Sequence, residues 1–235
     1  MKNKITRIVC TVGIALCLVI SLSCDNFMDI HQEYIKDGER VYAPIVDSVT
    51  VFAGKGKVTM KLRYFNGHNL KHSTIYWNDK HDSLKVDLEQ YDISAGLDSI
   101  EVTIPDLVES AYSFYIVNYD SHGNRSLEVS TFGNSYGADF QNSILNRSIK
   151  SLAHFDDRFE IEWAAPSDQL VKVELKYIDA LGNELSVVRD IENVGTYAKA
   201  RDDEFVYRSY FLPEENALDL FYTEWSEPIK LPPAK

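Results

Sequence analysis

The chain has 235 residues, of which 45% are hydrophobic, and its 36 acidic and 24 basic residues give a formal net charge of −12 at neutral pH. This charge excludes a general affinity for nucleic acid or anionic lipid headgroups, which are themselves negatively charged. All three cysteines lie within the first 24 residues, so disulfides cannot stabilise the rest. The length allows two small cores after a leader segment.

The first 23 residues have the pattern of a lipoprotein signal peptide. Three basic residues are followed by an apolar run from Ile8 to Leu22, which is too short to span a bilayer comfortably. The closing Ser21-Leu22-Ser23-Cys24 resembles a lipobox, although its leucine stands one position nearer the cysteine than is usual. The short run and the polar residues after it disfavour the alternative, an uncleaved membrane anchor. We therefore predict cleavage after residue 23 and lipidation of Cys24.

Lipidation would attach the chain to a membrane. A diacylglycerol thioether and an acyl chain such as palmitate contribute about 0.8 kcal/mol per buried methylene, so the anchor is effectively permanent. Cleavage removes three basic residues and no acidic one, which changes the formal charge from −12 to −15. Residues 24–41 are predicted to form an acylated polar tether.

From Val41 onward, apolar residues alternate with polar ones, which is typical of half-buried strands. Turn sequences such as Asn66-Gly67 and Asn78-Asp79 separate the alternating runs. Seven such runs without an intervening amphipathic helix predict an antiparallel, immunoglobulin-like β-sandwich over residues 42–135. The clearest runs are Val58, Met60, Leu62, Tyr64 and Ile100, Val102, Ile104.

The end of this first domain resembles a fibronectin type III domain. In that family, a leucine in the loop before the sixth strand is followed five residues later by an inward tyrosine, and Leu107 and Tyr112 have this spacing. Tyr112, Phe114 and Ile116 then alternate as in a strand. The resemblance implies a fibronectin type III-like sandwich.

A second domain is predicted over residues 143–232, after a short linker at Tyr136-Gly137-Ala138-Asp139. Its strands alternate in the same way, Trp163 stands where such domains carry a second-strand tryptophan, and Gly182-Asn183 predicts a hairpin. After Phe211, the segment from Pro213 to Phe221 has proline and acidic residues placed as at a helix start. We therefore expect an atypical sandwich in which a helix replaces the sixth strand.

Two segments resemble a family of tandem β-sandwich lipoproteins of unknown function from Gram-negative gut anaerobes. These are Met28-Asp29-Ile30-His31-Gln32-Glu33-Tyr34 and Leu212-Pro213-Glu214-Glu215-Asn216-Ala217-Leu218-Asp219. Members often occur beside Sus-type glycan-uptake systems. The resemblance implies a lipid-anchored protein of the outer membrane, either surface-exposed or facing the periplasm, and it supplies no catalytic residue.

The sequence contains no catalytic signature. It has no nucleophile elbow, phosphate-binding loop or dinucleotide fingerprint. Adjacent carboxylates such as Asp156-Asp157 lie in predicted turns, where neighbouring side chains diverge. His68, His72 and His81 could in principle bind zinc, but their spacing fits no ordered motif, and an exposed polar loop is the preferred interpretation. We predict no enzyme activity, no cofactor and no metal.

The aromatic residues suggest ligand binding. The chain has 14 Tyr, 11 Phe and 3 Trp, and exposed rings on a sheet can stack on sugars. Alternation places Tyr76, Tyr115 and Tyr119 on the outer face of the first domain, while Trp225 follows no clear period. Tyr76, Tyr115 and Trp225 are therefore our ligand-binding candidates, with cross-strand and domain–domain packing as the alternative.

Three serines follow an aspartate and precede an apolar residue, namely Ser48, Ser83 and Ser99. This pattern is an acceptor motif for protein O-glycosylation in bacteria of this kind, and about one match is expected by chance. We predict Ser83, in a polar turn, as the most accessible site.

Two functions remain open at this point. The first is a non-catalytic module that binds glycan or another extracellular polymer, and it is preferred. The second is a structural or scaffolding subunit of an outer-membrane protein complex. The predicted partners are the membrane, a glycan and such a complex, without nucleic acid.

Overall fold

The computed structural model describes residues 41–91, 93 and 96–235. The predicted signal peptide, Cys24 and the tether through residue 40 lie outside the described residues. Seven strands form the first sandwich. They are β1 (Ser48–Lys55), β2 (Lys57–Phe65), β3 (Leu70–Trp77), β4 (Asp82–Asp87), β5 (Leu97–Ile104), β6 (Ser110–Asp120) and β7 (Val129–Tyr136).

These strands follow the order β4-β3-β6-β7-β1-β2-β5. The pairing between β1 and β7 is parallel and involves only Gly54 with Ser135 and Lys55 with Tyr136. The order therefore divides into two antiparallel sheets, β1-β2-β5 and β4-β3-β6-β7, that are joined at one corner. This is the arrangement of a fibronectin type III-like sandwich, and it confirms the predicted all-β fold class.

The core of the first sandwich lies between its two sheets. Along β2, Met60, Leu62 and Tyr64 are fully buried, and they share one cluster with Ile75 of β3 and Phe114 of β6. Side chains alternate across a strand, so the polar residues between them face outward. The alternation in the sequence correctly predicted this core.

The corner before β6 also agrees with the predicted resemblance. Leu107 is buried, and the Tyr112 hydroxyl donates a hydrogen bond of 2.9 Å to the carbonyl oxygen of Val108. A tyrosine that bonds back to the chain a few residues upstream fixes this corner in immunoglobulin-like sandwiches.

Eight further strands form the second sandwich. They are β8 (Ile149–His154), β9 (Arg158–Trp163), β10 (Leu170–Ile178), β11 (Glu184–Asp190), β12 (Val194–Ala198), β13 (Glu204–Phe211), β14 (Phe221–Tyr222) and β15 (Ile229–Lys230). One sheet has the order β12-β9-β8, and the other has the order β11-β10-β13-β14 with β15 also paired to β13.

An aromatic core fills the second sandwich. Phe159 is fully buried and stacks on Tyr197 and Phe205, with ring centroids 5.2 and 5.5 Å apart. Trp163 is buried on β9, which is the second strand of this sandwich, as the sequence predicted. Gly182 adopts a positive φ of 90° in the β10–β11 hairpin, also as predicted.

The predicted helix after Phe211 is wrong. The sixth strand is β13 itself, and the described residues 212–220 contain no helix. Their backbone is instead engaged by the first sandwich, since the Leu218 N–H donates to the Ala53 carbonyl at 2.8 Å. Tertiary contact overrides the local helix signal, and the last edge strand is split into β14 and β15.

The linker between the sandwiches contains a helix that the sequence analysis did not predict, α1 (Ala138–Ser143). The Glu109 carboxylate accepts the N–H groups of Asp139 and Phe140 at 2.6 and 2.8 Å. It thereby satisfies backbone donors that a helix start leaves free. At six residues, α1 is too short to cross a bilayer, and none of the helices within the described ranges is long and apolar enough to do so.

The chain enters and leaves the first sandwich at opposite ends. Before β1, the Ala43 N–H donates to the Arg125 carbonyl, and the Asn118 amide donates to the Pro44 carbonyl at 2.9 Å. Both contacts lie at the end where β6 finishes and β7 begins. The chain leaves at the other end, after Tyr136, where the second sandwich makes its contacts.

The two sandwiches belong to one compact unit, residues 43–235. Glu214 accepts hydrogen bonds from the Asn134 amide at 3.1 Å and the Tyr136 hydroxyl at 3.2 Å. Asp219 accepts the Lys55 N–H at 2.8 Å and lies 3.1 Å from the Lys57 ammonium group. Two carboxylates of the segment between β13 and β14 therefore bind to the first sandwich and link it to the second.

We expect Asp219→Ala to loosen this junction. Burial disfavours the carboxylate form, but hydrogen bonds from Lys55 and Lys57 outweigh it and hold the pKa of Asp219 below its ordinary value. The pair is about one third exposed, so unfolding free energy should fall by only about 1 kcal/mol. Spin labels at Ser83→Cys and Thr196→Cys, in the mature chain that also carries Cys24→Ala, should show a broader distance distribution.

The control for this measurement is Asp190→Ala. Asp190 lies on the edge strand β11, and its side chain is 90% exposed and 3.9 Å from Lys172 of the same sandwich. An Asp219→Ala distribution as narrow as the one for this control would show that the ion pair does not set the angle between the sandwiches.

Candidate functional site

Four aromatic rings lie together on the outer surface of the β4-β3-β6-β7 sheet. Tyr76 is paired in register with Tyr115, and His72 is paired with Tyr119. We call these four residues the tyrosine face. All four side chains are partly buried and partly open to solvent. The structure therefore brings together two of the three predicted ligand-binding residues, Tyr76 and Tyr115.

The rings form a continuous layer. His72 and Tyr119 stack with centroids 4.6 Å apart and planes 14° apart. Thr74 and Val117 lie in register between the two aromatic pairs and also point away from the core, yet both are buried. The flanking rings therefore cover them.

Hydrogen bonding and burial define the protonation of this layer. Burial, together with the charge and hydrogen bond of Tyr119, raises the pKa of Tyr76, so its hydroxyl stays protonated at neutral pH. Burial and the nearby Lys85 and Lys71 ammonium groups lower the pKa of His72. The stacked imidazole is therefore neutral, and its buried Nδ1 atom has no hydrogen-bond partner within the described chain.

Charged residues border one end of the tyrosine face. The Lys80 ammonium group lies 4.7 Å from the centroid of the Tyr115 ring and 2.7 Å from the Glu128 carboxylate. Arg125 lies 3.8 Å from the same carboxylate. Phe132 of β7 faces the same side as Tyr115 and is 82% exposed. The surface thus combines flat rings with hydrogen-bonding groups at its edge.

Trp225, the third predicted ligand-binding residue, lies on the second sandwich. Its ring centroid is 4.6 Å from both the Lys176 ammonium group and the Arg208 guanidinium carbon. Arg208 also lies 4.6 Å from the Tyr222 ring and 5.1 Å from the Tyr210 ring. We call these five residues the cation–aromatic ladder. Contacts of this kind contribute about 0.5–2 kcal/mol each.

The chain around Trp225 is held by two hydroxyl groups. Thr223 Oγ1 accepts the Ser209 N–H at 3.0 Å, and Ser226 Oγ accepts the Tyr207 N–H at 3.1 Å. In the segment between β14 and β15, these side-chain hydrogen bonds to β13 take the place of regular strand pairing. The available sequence signal was the hydroxyl residue two positions before Trp225 and the one directly after it, which the alternation analysis did not use.

The three predicted glycosylation serines are all exposed. Arg63 of β2 is paired in register with Ser48 of β1 on one side and with Ser99 of β5 on the other, so both serines lie on the outer face of the β1-β2-β5 sheet. Ser83 belongs to the edge strand β4 rather than to a turn, which corrects the predicted location. Modification of these serines stays a prediction.

The structure separates the three histidines considered for zinc. His68 lies in the loop before β3, and His81 follows the end of β3, where its Nδ1 atom is 2.8 Å from the Asn78 carbonyl oxygen. His72 is stacked within the tyrosine face. Among the described residues, no three potential ligands are grouped so that they could hold a metal ion.

Several solved structures resemble this chain. The FN1–FN3 domains of chicken CNTN1 share 11% identity over 84% of this chain and 68% of that chain, with a TM-score of 0.49. A two-domain fibronectin type III segment of chicken tenascin shares 10% identity over 79% of this chain and 98% of that chain, with a TM-score of 0.31. Fibronectin(III)-like modules of Clostridium thermocellum CbhA share 14% sequence identity over 77% of this chain and 90% of that chain, with a TM-score of 0.35.

A family match covers both sandwiches. No curated relative matches the chain. The family DUF4998, described as a domain of unknown function, matches residues 24–221, which include nearly all of both sandwiches. The chain therefore belongs to the DUF4998 family.

Proposed function

We propose that this protein is a lipid-anchored, non-catalytic binding module of the outer membrane and that the tyrosine face binds glycan. The observation that carries this proposal is the layer of four partly exposed rings on one sheet. The C–H groups of a sugar pack on such rings, while the phenol hydroxyls supply hydrogen bonds. The surface is broad and open, which suits a polymer better than a small molecule.

Several carboxyl groups are held in the ionised form by their neighbours. In every described carboxyl group with a shifted pKa, hydrogen bonds from neighbouring donors lower that pKa, as for Asp120, Glu174 and Asp179. Each is held ionised, whereas a general acid at neutral pH requires a raised pKa. These carboxyl groups are therefore suited to accept hydrogen bonds and not to act as general acids.

A glycan array and calorimetry test the tyrosine face. The mature chain, produced with Cys24→Ala so that it stays unacylated, should bind at least one glycan class. Tyr76→Ala combined with Tyr115→Ala should weaken that binding about tenfold or more, because each stacked ring contributes about 1 kcal/mol. Phe65→Ala is the control, since Phe65 is 58% exposed on a different sheet.

Two results would contradict the proposal. One is a wild-type chain that binds none of the arrayed glycans. The other is a double variant that folds, by its thermal melt, and binds as tightly as the Phe65→Ala control.

The membrane anchor is the second part of the proposal. The family match begins at Cys24, which is the first residue of the predicted mature chain. The native protein should have the intact mass of a triacylated chain that lacks residues 1–23, and Cys24→Ala should move it from the membrane fraction to the soluble fraction. Protease treatment of whole cells then decides between surface and periplasm. An unacylated native mass would reject the anchor.

A scaffolding role is the second candidate, and the junction between the sandwiches favours it. Glu214 and Asp219 hold the two domains together, as a spacer between other proteins requires. In that case the glycan array stays blank. The native chain would then migrate with a defined outer-membrane complex on a native gel, and Asp219→Ala would disrupt that complex.

A further inference from the structure

A cleft lies where the linker helix meets the segment between β14 and β15. Its volume is about 290 Å³, near the lower end for ligand pockets. We call it the junction cleft. Its lining includes Gln141, Asn142, Leu145, Asn146, Glu224 and Trp225.

The walls of the junction cleft are fixed by hydrogen bonds. The Gln141 amide donates to the Tyr222 carbonyl, and the Asn146 amide donates to the Glu224 carbonyl at 3.1 Å. Asn146 Oδ1 also accepts the Thr223 hydroxyl at 2.6 Å. The linker side of the cleft is thus bound to the strand side, so the cleft is preformed.

Other polar groups in the same lining are unused. Within the described chain, the Asn142 side chain and the Glu224 carboxylate make no hydrogen bond or ion pair, and the Trp225 Nε1–H group has no acceptor. Two cations at 4.6 Å hold the Trp225 ring in place. A fixed cleft therefore presents an amide, a carboxylate and an indole to a ligand, beside the apolar Leu145, which is 79% exposed.

These groups match the chemistry of a neutral sugar. An amide and a carboxylate can bind neighbouring hydroxyl groups, and an indole or leucine side chain packs against C–H groups. The unpaired Glu224 carboxylate, in a mature chain of formal charge −15, disfavours uronic acids and sulfated sugars. The volume suits one or two sugar units.

We propose that the junction cleft is a second binding site, for a neutral hexose or N-acetylhexosamine unit of the same glycan. This inference rests on the proposed glycan-binding function. Two sites on one chain make the second contact intramolecular, so a long polymer is bound more tightly than a short fragment without any further contact. Loss of either site should therefore weaken polymer binding more than fragment binding.

The cleft is tested with Asn142→Ala combined with Glu224→Ala. The probes are the methyl glycosides of glucose, galactose, mannose and N-acetylglucosamine, observed by saturation-transfer NMR. The polymers are starch, xylan, mannan and mucin in affinity gels. At least one methyl glycoside should give a signal with the wild-type chain. That signal should survive Tyr76→Ala with Tyr115→Ala and disappear in the cleft variant, whose polymer affinity should fall about tenfold.

Glu215→Ala is the matched control, because Glu215 is an exposed carboxylate outside the cleft lining. Thermal melting checks that each variant folds. Polymer binding that depends on Tyr76 and Tyr115 but not on Asn142 and Glu224 would overturn the second site and leave the proposed function standing. A wild-type chain that binds neither polymer nor methyl glycoside would overturn both.

Discussion

Replacing Phe159 by alanine is expected to lower the free energy of unfolding of the second sandwich by about 3–5 kcal/mol. Phe159 is fully buried and contacts the rings of Tyr177, Tyr197 and Phe205, with centroids 5.2–5.5 Å away. Three rigid rings cannot collapse into the space that its side chain would leave. The loss is comparable to the whole stability of many small domains.

Urea denaturation and hydrogen exchange measure this effect. Amides of β9, β10 and β13 should lose protection, while amides of β2 and β6 in the first sandwich keep most of theirs. Phe132→Ala, which removes a ring that is 82% exposed, should change stability by less than about 0.5 kcal/mol. A Phe159→Ala loss below about 1 kcal/mol would show that the core repacks and that the stacked rings do not define it.

The second large effect is expected for Glu174→Ala. Glu174 is only 7% exposed although it lies on the outer side of its sheet. Its carboxylate accepts hydrogen bonds from Arg208 Nε at 2.7 Å, from the Tyr210 hydroxyl at 2.5 Å and from Ser186. Removing it leaves three donors and the Arg208 charge unpaired, at a cost of about 2–3 kcal/mol because water reaches Arg208 in part.

Glu162→Ala provides the control for this variant. Glu162 also accepts from a cation and a serine, Lys150 and Ser151, but its side chain is 40% exposed. Its loss should therefore cost much less than the loss of Glu174, because water screens an exposed ion pair. Equal losses for the two variants in urea denaturation would mean that burial does not strengthen the Glu174 network.

The pH dependence of the Glu174 contribution has a definite sign. Burial raises the pKa of this carboxyl group, but hydrogen bonds from Ser186, Tyr210 and Arg208 outweigh burial and hold the pKa below its ordinary value of 4.5. A carboxyl group whose pKa is lower in the folded state than in the unfolded state stabilises the fold fully when the pH is above the unfolded-state pKa. This stabilisation is lost as the pH falls through the folded-state pKa. The stability difference between wild type and Glu174→Ala should thus be constant at neutral pH and shrink only below about pH 4.5.

Local patterns in the sequence predicted what depends on local geometry. The alternation of Met60, Leu62 and Tyr64 reported the core face of β2, because a strand points successive side chains to opposite sides. The same rule placed Tyr76 and Tyr115 outside, and the spacing of Leu107 and Tyr112 identified the corner before β6. Each of these features is determined by residues that are close together in the sequence.

Features that depend on distant residues were missed. The segment from Pro213 to Phe221 has a helix-start composition, yet Ala53 and Lys55, more than 150 positions earlier, take its hydrogen bonds. Trp225 follows no period because Lys176 and Arg208 of two other strands fix its ring. The junction cleft likewise combines the linker helix with a strand end 81 residues further along the chain, as in the contact between Gln141 and Tyr222, which no local pattern reports.

The opposite entry and exit of the chain in the first sandwich affect how the protein responds to mechanical load. A force that pulls Ala43 and Tyr136 apart would draw the start of β1 and the end of β7 in opposite directions. Because β1 and β7 run parallel where Gly54 and Lys55 meet Ser135 and Tyr136, their hydrogen bonds would be sheared together rather than opened one by one. The first sandwich is therefore built to resist stretching between the points where the chain enters and leaves it.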